Sequence, residues 1–309
     1  MGNPREAYGQ ALVALAREDS RIWALDADLN KSTMSCYMEQ EFPARYVEAG
    51  IAEANMVGMA AGLSLCGKIP FVSSFAVFVT GRAFDQIRQS ICIPKLNVKL
   101  CGSSAGLSDY GDGSTHQTVE DIAVMRALPN MTVLCPGDAR QMAAMVKAAA
   151  QLDGPVYLRV TRSDMDDLPG DGSFELGRID TVRQGKDITA FATGVMVKKA
   201  LDAAEELAKE GISATVVNVA TLKPFGGEQA RALAGQTGLA FTCEEHSVIG
   251  GLGSIVAEAL SETGIPLKIL GIQDQFGQSA NSEGPLMEHY GLTAANIAKQ
   301  IRDFVSSRR

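Results

Sequence analysis

The chain has 309 residues, enough for two domains of ordinary size. Hydrophobic residues make up 46% and charged residues 21%, a globular balance, and the formal net charge is −8. That acidity leaves no electrostatic footprint for nucleic acid or an anionic membrane, so an anionic ligand has to be held by a local cluster of Arg side chains and backbone N–H groups.

In chain order, Asn3-Pro4-Arg5-Glu6 reads as a helix start, with Asn3 as N-cap, Pro4 at the first helical position and Glu6 completing a capping box. Tyr8, Leu12 and Leu15 then share one face. The stretch RIWALDADL reads as a strand, and a helix begins near Ile51 and runs through EANMVGMAAGLSLCG. Strand IPFVSSF, helix FDQIRQSI, strand LNVKLCG, helix VEDIAVMRAL, strand MTVLCPG, helix DARQMAAMVKAAA and strand PVYLRVT follow. These β runs are dense in Val, Ile and Leu, as in strands covered on both faces, and their alternation with helices predicts a parallel, doubly wound sheet. Residues 163–185, rich in Asp, Gly and Pro, break the rhythm and read as a surface linker. Beyond them comes a second α/β series: ITAFAT, a helix ending near Glu210, ATVVNVATL, a helix around Gln229, LAFTCEE, helix GSIVAEALSE and PLKILGI.

The six cysteines form no C-x-x-C pair and read as reduced thiols of a cytoplasmic protein. No two of the three histidines share metal-ligand spacing, so no protein metal site is expected. The opening residues hold no apolar signal core, and no apolar run approaches a membrane span. Both GDG tripeptides, at 111–113 and 170–172, read as turns. Gly250-Gly251-Leu252-Gly253 departs from G-x-G-x-x-G at Val256 and reads as a packing turn before a helix.

Three places carry candidate chemistry. Glu53 opens a helix lined with Ala54, Gly58, Ala61 and Gly62. A Glu there is favoured by the helix dipole, while small residues at helical spacing suit a tight subunit interface. Phe75 and Phe78 stand at a strand end, where open α/β sheets bind ligands, although two Phe there also suit a plain core. His116 lies in a loop with Asp112, Ser114, Thr115 and Gln117, a setting for proton transfer or for holding a hydroxyl.

Together these segments resemble the C-terminal half of transketolases. GIAEANM is similar to the family's Gly-Ile-x-Glu motif, SFAVF to its aromatic pocket for the cofactor pyrimidine, and GDGSTHQ to its Asp-Gly-Pro-Thr-His-Gln loop. LKPF and EEHSVIGGLGS resemble the C-terminal domain shared with 1-deoxyxylulose-5-phosphate synthases. The resemblance implies a thiamine-diphosphate pyrimidine-binding domain over 1–165, a linker over 166–185 and a transketolase C-terminal domain over 186–309, both domains doubly wound α/β. The family's diphosphate and Mg²⁺ site uses a GDG followed by an Asn, which neither GDG here supplies, so a partner subunit is expected to carry it. A split transketolase of this kind implies two copies of each half, with the present chain self-associating as a dimer.

By resemblance, Glu53 hydrogen-bonds the pyrimidine and Phe75 and Phe78 line its pocket, Phe78 being the stacker. Gly81 replaces a pocket Tyr, and Arg82 beside it fills part of that space. His116 and Asp112 match residues that contact substrate hydroxyls; Arg5, Ser32 and Arg162 match residues that contact a sugar phosphate. Ser104 stands where transketolases commonly have a further substrate-contacting His. The implied activity moves a two-carbon ketol unit from a ketose to an aldose. The run Arg82-Ala83-Phe84-Asp85-Gln86 resembles the deoxyxylulose-phosphate synthases, so a subunit of such an enzyme, or of a 2-oxo-acid dehydrogenase, is a second reading. A non-catalytic interaction subunit is a third.

Overall fold

The computed structural model describes residues 1–308. The first helix, Pro4–Glu18, starts as its cap residue dictates: Asn3 Oδ1 accepts the backbone N–H groups of Arg5 and Glu6 at 3.0 and 3.3 Å. It buries Tyr8 and Leu12, and the Tyr8 hydroxyl meets Ser73 Oγ at 2.7 Å. The first sheet takes its strands from β1 (Ile22–Asp26), β2 (Tyr46–Glu48), β3 (Ile69–Phe75), β4 (Lys99–Ser103), β5 (Thr132–Leu134) and β6 (Val156–Arg159). The second begins with β7 (Asp180–Arg183), β8 (Ile188–Ala192) and β9 (Ala214–Asn218), and ends with β11 (Ala240–Ser247) and β12 (Leu267–Ile272). Between β9 and β11 lies β10 (Thr221–Lys223), which returns to the first sheet.

The first sheet is ordered β10-β5-β6-β4-β3-β1-β2, parallel except for β10 against β5. The second is β12-β11-β8-β9-β7, parallel except for β7 against β9. Every residue of β3 is buried, because helices cover both faces of the sheet. The helices Pro4–Glu18 and Ala139–Gln151 pack together on one face over Ala24, Phe71 and Leu158. On the other, Met56, Val57 and Ala60 of helix Glu53–Leu65 cover Leu25, Val72 and Leu100.

Register then sets the site. Asp26 pairs with Ser73, Phe75 with Ser103, and Gly102 with Arg159. The loops after β1, β3, β4 and β6 therefore leave one carboxyl edge of the sheet side by side, the edge at which such sheets bind ligands.

Several sequence expectations are corrected. The linker stretch ends in strand β7, held antiparallel on β9. ATVVNVATL is two strands, not one: β9 belongs to the second sheet and β10 to the first. The expected helix FDQIRQSI is a short α-turn, Phe84–Gln86, followed by a π-helix, Ile87–Cys92. Helices Glu283–His289 and Ala294–Ser306 follow β12 and were not anticipated. The second is capped by Thr293 and buries Ile297, Ala298, Ile301 and Val305 at helical spacing, a signal that was present in the sequence. Gly250 and Gly251 lead into helix Leu252–Leu260, whose N-terminus is taken by a carboxylate of the same chain: Glu244 accepts Leu252 N–H at 2.5 Å and Gly253 N–H at 2.8 Å.

Candidate active site

Glu53 is the first residue of its helix and only 3% exposed. Its Oε1 accepts Arg82 Nη1 at 3.1 Å. The Arg82 guanidinium lies over the Phe78 ring, with 4.1 Å from its central carbon to the ring centroid. Phe75 ends β3 and Phe78 lies in the following helix, Ala76–Gly81. Their rings stack with centroids 5.9 Å apart and an 18° interplanar angle. His116 meets both edge-on, 5.2 Å from Phe78 and 6.3 Å from Phe75. The stacked aromatic pair thus meets an imidazole edge-on and is linked through Arg82 to the buried Glu53 carboxylate.

This arrangement already receives one flat nitrogen donor, the Arg82 guanidinium, which stacks on Phe78 and hydrogen-bonds Glu53. An aminopyrimidine offers the same two features, a π-face and a ring nitrogen. Three serine hydroxyls nearby, on Ser74, Ser103 and Ser104 at the ends of β3 and β4, are buried without hydrogen-bond partners. Ser104 also holds a left-handed backbone, φ 53°, an uncommon state for a residue with a side chain. A Cβ built at Gly81 would meet no residue other than its chain neighbours within 4 Å, so the position is open apart from Arg82 beside it.

The second group of expected residues gathers at the same edge. Arg5, in the first helical turn, donates from Nη1 to the carbonyl oxygen of Ser32 at 3.1 Å, so Ser32 enters through its backbone rather than its hydroxyl. Arg162, beyond β6, donates to Asp109 Oδ2 at 3.1 Å. Burial, and then the charge of Arg162, hold the Arg5 guanidinium below its usual range, and Arg5 Nε is buried without a partner. Asp112 is exposed at the head of the 3-10 turn Gly113–Thr115 and hydrogen-bonds to neither cluster.

Asp26 and Glu245 were not singled out in the sequence, and Gln117 was read only as a neighbour of His116. Asp26, at the end of β1, accepts Leu29 N–H, Thr33 Oγ1 and Ser35 Oγ at 2.6, 2.7 and 2.8 Å and so shapes the turn that carries Ser32. Burial pushes its carboxyl up to about 6. Gln117 Nε2 reaches the carbonyls of Leu107, Asp109 and Gln278, at 3.2, 3.1 and 3.0 Å, tying the His116 loop to a loop of the second domain. Glu245 Oε1 accepts Leu107 N–H at 2.8 Å from the other side. The visible signals were an Asp closing a strand in ALDADL and a Gln directly after the motif His. Among the described residues no three His, Cys, Asp or Glu side chains converge on a place for a metal ion, and no helix is long and apolar enough to cross a membrane.

Comparison with known proteins agrees with this layout. The profile of the transketolase pyrimidine-binding domain matches residues 3–166, and that of the transketolase C-terminal domain matches residues 177–297. The chain belongs to the transketolase family and spans these two of its domains. It is 42% identical over 304 residues to a putative transketolase C-terminal section of Methanocaldococcus jannaschii, covering 97% of this chain and 95% of the relative. It is 43% identical over 301 residues to the 6-deoxy-6-sulfo-D-fructose transketolase subunit SqwH of a Clostridium species, covering 97% and 93%. Among solved structures, a split-gene transketolase described as an inactive β4 tetramer superposes with a TM-score of 0.92 at 48% identity, over 100% of both chains.

Proposed function

We propose that this chain is the pyrimidine-binding subunit of a split, thiamine-diphosphate-dependent transketolase that passes a two-carbon ketol unit from an anionic-ended ketose to an aldose. The observation that carries the reading is the buried Glu53 carboxylate beside the stacked Phe75–Phe78 pair, with His116 at its edge. Relatives of matching length that are themselves transketolase sections or subunits support it.

When bound, thiamine diphosphate supplies the electron sink for breaking the bond beside a ketose carbonyl. This chain's residues do the rest at the pyrimidine end. Phe75 and Phe78 give the ring an apolar wall, Phe78 as the stacking face, and exclude water from that side. Glu53 would share a proton with the ring nitrogen, and Arg82, which contacts both Glu53 and Phe78, would border the ring. His116 faces the substrate from the loop edge, its Nδ1 fixed by Thr115 Oγ1 at 2.9 Å. Arg5 and Arg162 take the anionic end of the sugar.

The diphosphate and Mg²⁺ fall to a partner subunit. Helix Glu53–Leu65 is apolar apart from Glu53, Asn55 and Ser64, and it buries one side within this chain while Asn55, Gly58, Gly62 and Leu65 stay exposed. Ile51 and Leu65 at its ends are each 74% exposed, and a Cβ added at Gly58 or Gly62 would meet nothing within 4 Å. A face of small residues flanked by bare apolar side chains suits close packing of another subunit.

The test is Glu53→Gln in the complex with the diphosphate-binding partner. Gln keeps the size and hydrogen bonding but exchanges no proton. Proton exchange at the thiazolium C2 of the bound cofactor, followed by NMR, is expected to slow by about 10²–10⁴-fold, with assembly intact. Exchange at the wild-type rate would refute the role of Glu53.

A further inference from the structure

The proposed end-group site holds two guanidinium groups, and one of them is already paired. Arg162 Nη1 donates to Asp109 Oδ2 at 3.1 Å; the Asp109 side chain is 3% exposed and that of Arg162 is 41% exposed. The buried Asp109 carboxylate is therefore held against a guanidinium that is itself partly exposed. Arg5 lies near enough for the two positive charges to oppose each other, and its Nε is buried without a partner. The loop has supports besides that carboxylate. The backbone carbonyl of Asp109, not its side chain, receives Gly113 N–H at 3.1 Å and Gln117 Nε2 at 3.1 Å.

Arg5, Arg162 and the buried Asp109 carboxylate by themselves sum to no more than one positive charge. Asp164 and Glu6 add further negative field at Arg5. A singly charged terminal group neutralises such a site. A doubly charged one brings an excess negative charge up to a carboxylate that cannot move into water, where the low local polarity strengthens the repulsion.

We infer that Asp109 is a specificity-determining residue: by holding Arg162, it makes the Arg5–Arg162 site select a sugar whose terminal group is a monoanion, such as a sulfonate or a singly ionised phosphate, over one ending in a dianion. This rests on the reading that Arg5 and Arg162 bind the anionic end of the substrate.

The experiment uses the complex with the partner subunit and ketose donors identical except for a terminal phosphate, sulfonate or hydroxyl. The sulfonate keeps one charge throughout, whereas a phosphate monoester gains its second near pH 6. The wild type is expected to use the sulfonate-ended donor about tenfold better than the phosphate-ended one at pH 8, measured as kcat/KM, with the gap closing towards pH 5. Asp109→Asn frees the Arg162 contact for the ligand, and it is expected to move the phosphate-to-sulfonate ratio at pH 8 about tenfold or more towards phosphate, through KM. Asp109→Glu, which keeps the charge, is expected to stay near the wild-type ratio. Should Asp109→Asn fail to assemble, binding of inorganic phosphate to the wild-type chain, read from the Arg Nε NMR signals across the same pH range, decides the matter: phosphate binding that strengthens with its second charge overturns the inference, and weakening supports it. Arg162→Ala separates the two levels. If it raises KM about tenfold to a hundredfold for the anionic donors and much less for the hydroxyl-ended one, the end-group reading holds. An unchanged phosphate-to-sulfonate ratio in Asp109→Asn then overturns the inference alone. Equal losses on all three donors in Arg162→Ala overturn the end-group reading and the inference with it.

Discussion

Single residues show how burial sets chemistry in this chain. Lys99, in the middle of the first sheet's strand order, is fully buried, and its Nζ donates to the carbonyls of Leu152 and Gly154 at 2.7 and 2.8 Å. Burial pushes its ammonium group down to about 7. An unfolded lysine ionises near 10.4, so the folded chain declines a proton that the unfolded chain takes up between those values. The stability associated with neutral Lys99 is thus fully present above the unfolded value and is lost as pH falls towards about 7. Lys99→Met removes that titration. Urea unfolding at pH 7 and at pH 9.5 is expected to show a smaller stability difference in the variant than in the wild type; parallel profiles would contradict the assignment. Residues of this kind were hidden in the sequence because their partners are remote. Asp109 and Arg162 are 53 positions apart, and nothing local marks either as half of a pair. The places of Glu53, Phe75, Phe78 and His116 in the fold were legible because each sits in a short motif whose neighbours mark a helix start, a strand end or a Gly-rich loop.

Among the elements, the loop that carries His116 depends most on tertiary contact. It leaves β4 at Ser103 and is pinned by Glu245 at Leu107, by the Gln117 side chain, and by the hydrogen bond from Ala280 N–H to the carbonyl of Tyr110. Gly277 permits this closeness: a Cβ there would run into Gln117 Oε1. Gly277→Ala is expected to displace Gln117 and destabilise the chain by about 1–3 kcal/mol, the usual cost of overpacking. Amide hydrogen exchange over residues 107–117 should quicken with it, and unchanged exchange would show that the second domain does not hold the loop. The same dependence on distant contacts explains which elements were read correctly. Strands β3, β4 and β6 announced themselves as apolar runs bounded by polar turns. The division of ATVVNVATL between two sheets had no such signal, because β10 is defined by its pairing with β5 and not by its own pattern.

Across the whole molecule, the two α/β units are joined through buried charge as well as apolar packing. Arg159 at the end of β6 meets Asp121 at 2.9 Å and donates to the carbonyl of Glu245 in β11, also at 2.9 Å; Tyr157 adds a 2.7 Å hydrogen bond to Asp121. One apolar cluster runs from Leu25 and Val72 of the first sheet to Phe191 and Val217 of the second. The second domain is thereby built into the support of the first domain's site. On the proposed reading the site is one-sided: it has the carboxylate, the aromatic wall and the guanidinium pair, while neither GDG tripeptide is followed by the Asn expected of a diphosphate and Mg²⁺ site. The central claim is that catalysis needs a second, diphosphate-binding subunit, and the most direct test is a ketol-transfer assay with thiamine diphosphate and Mg²⁺, run on this chain alone and again with that subunit added. The account predicts no transfer by the folded chain alone and transfer restored on addition of the partner. Robust transfer by this chain alone would contradict it.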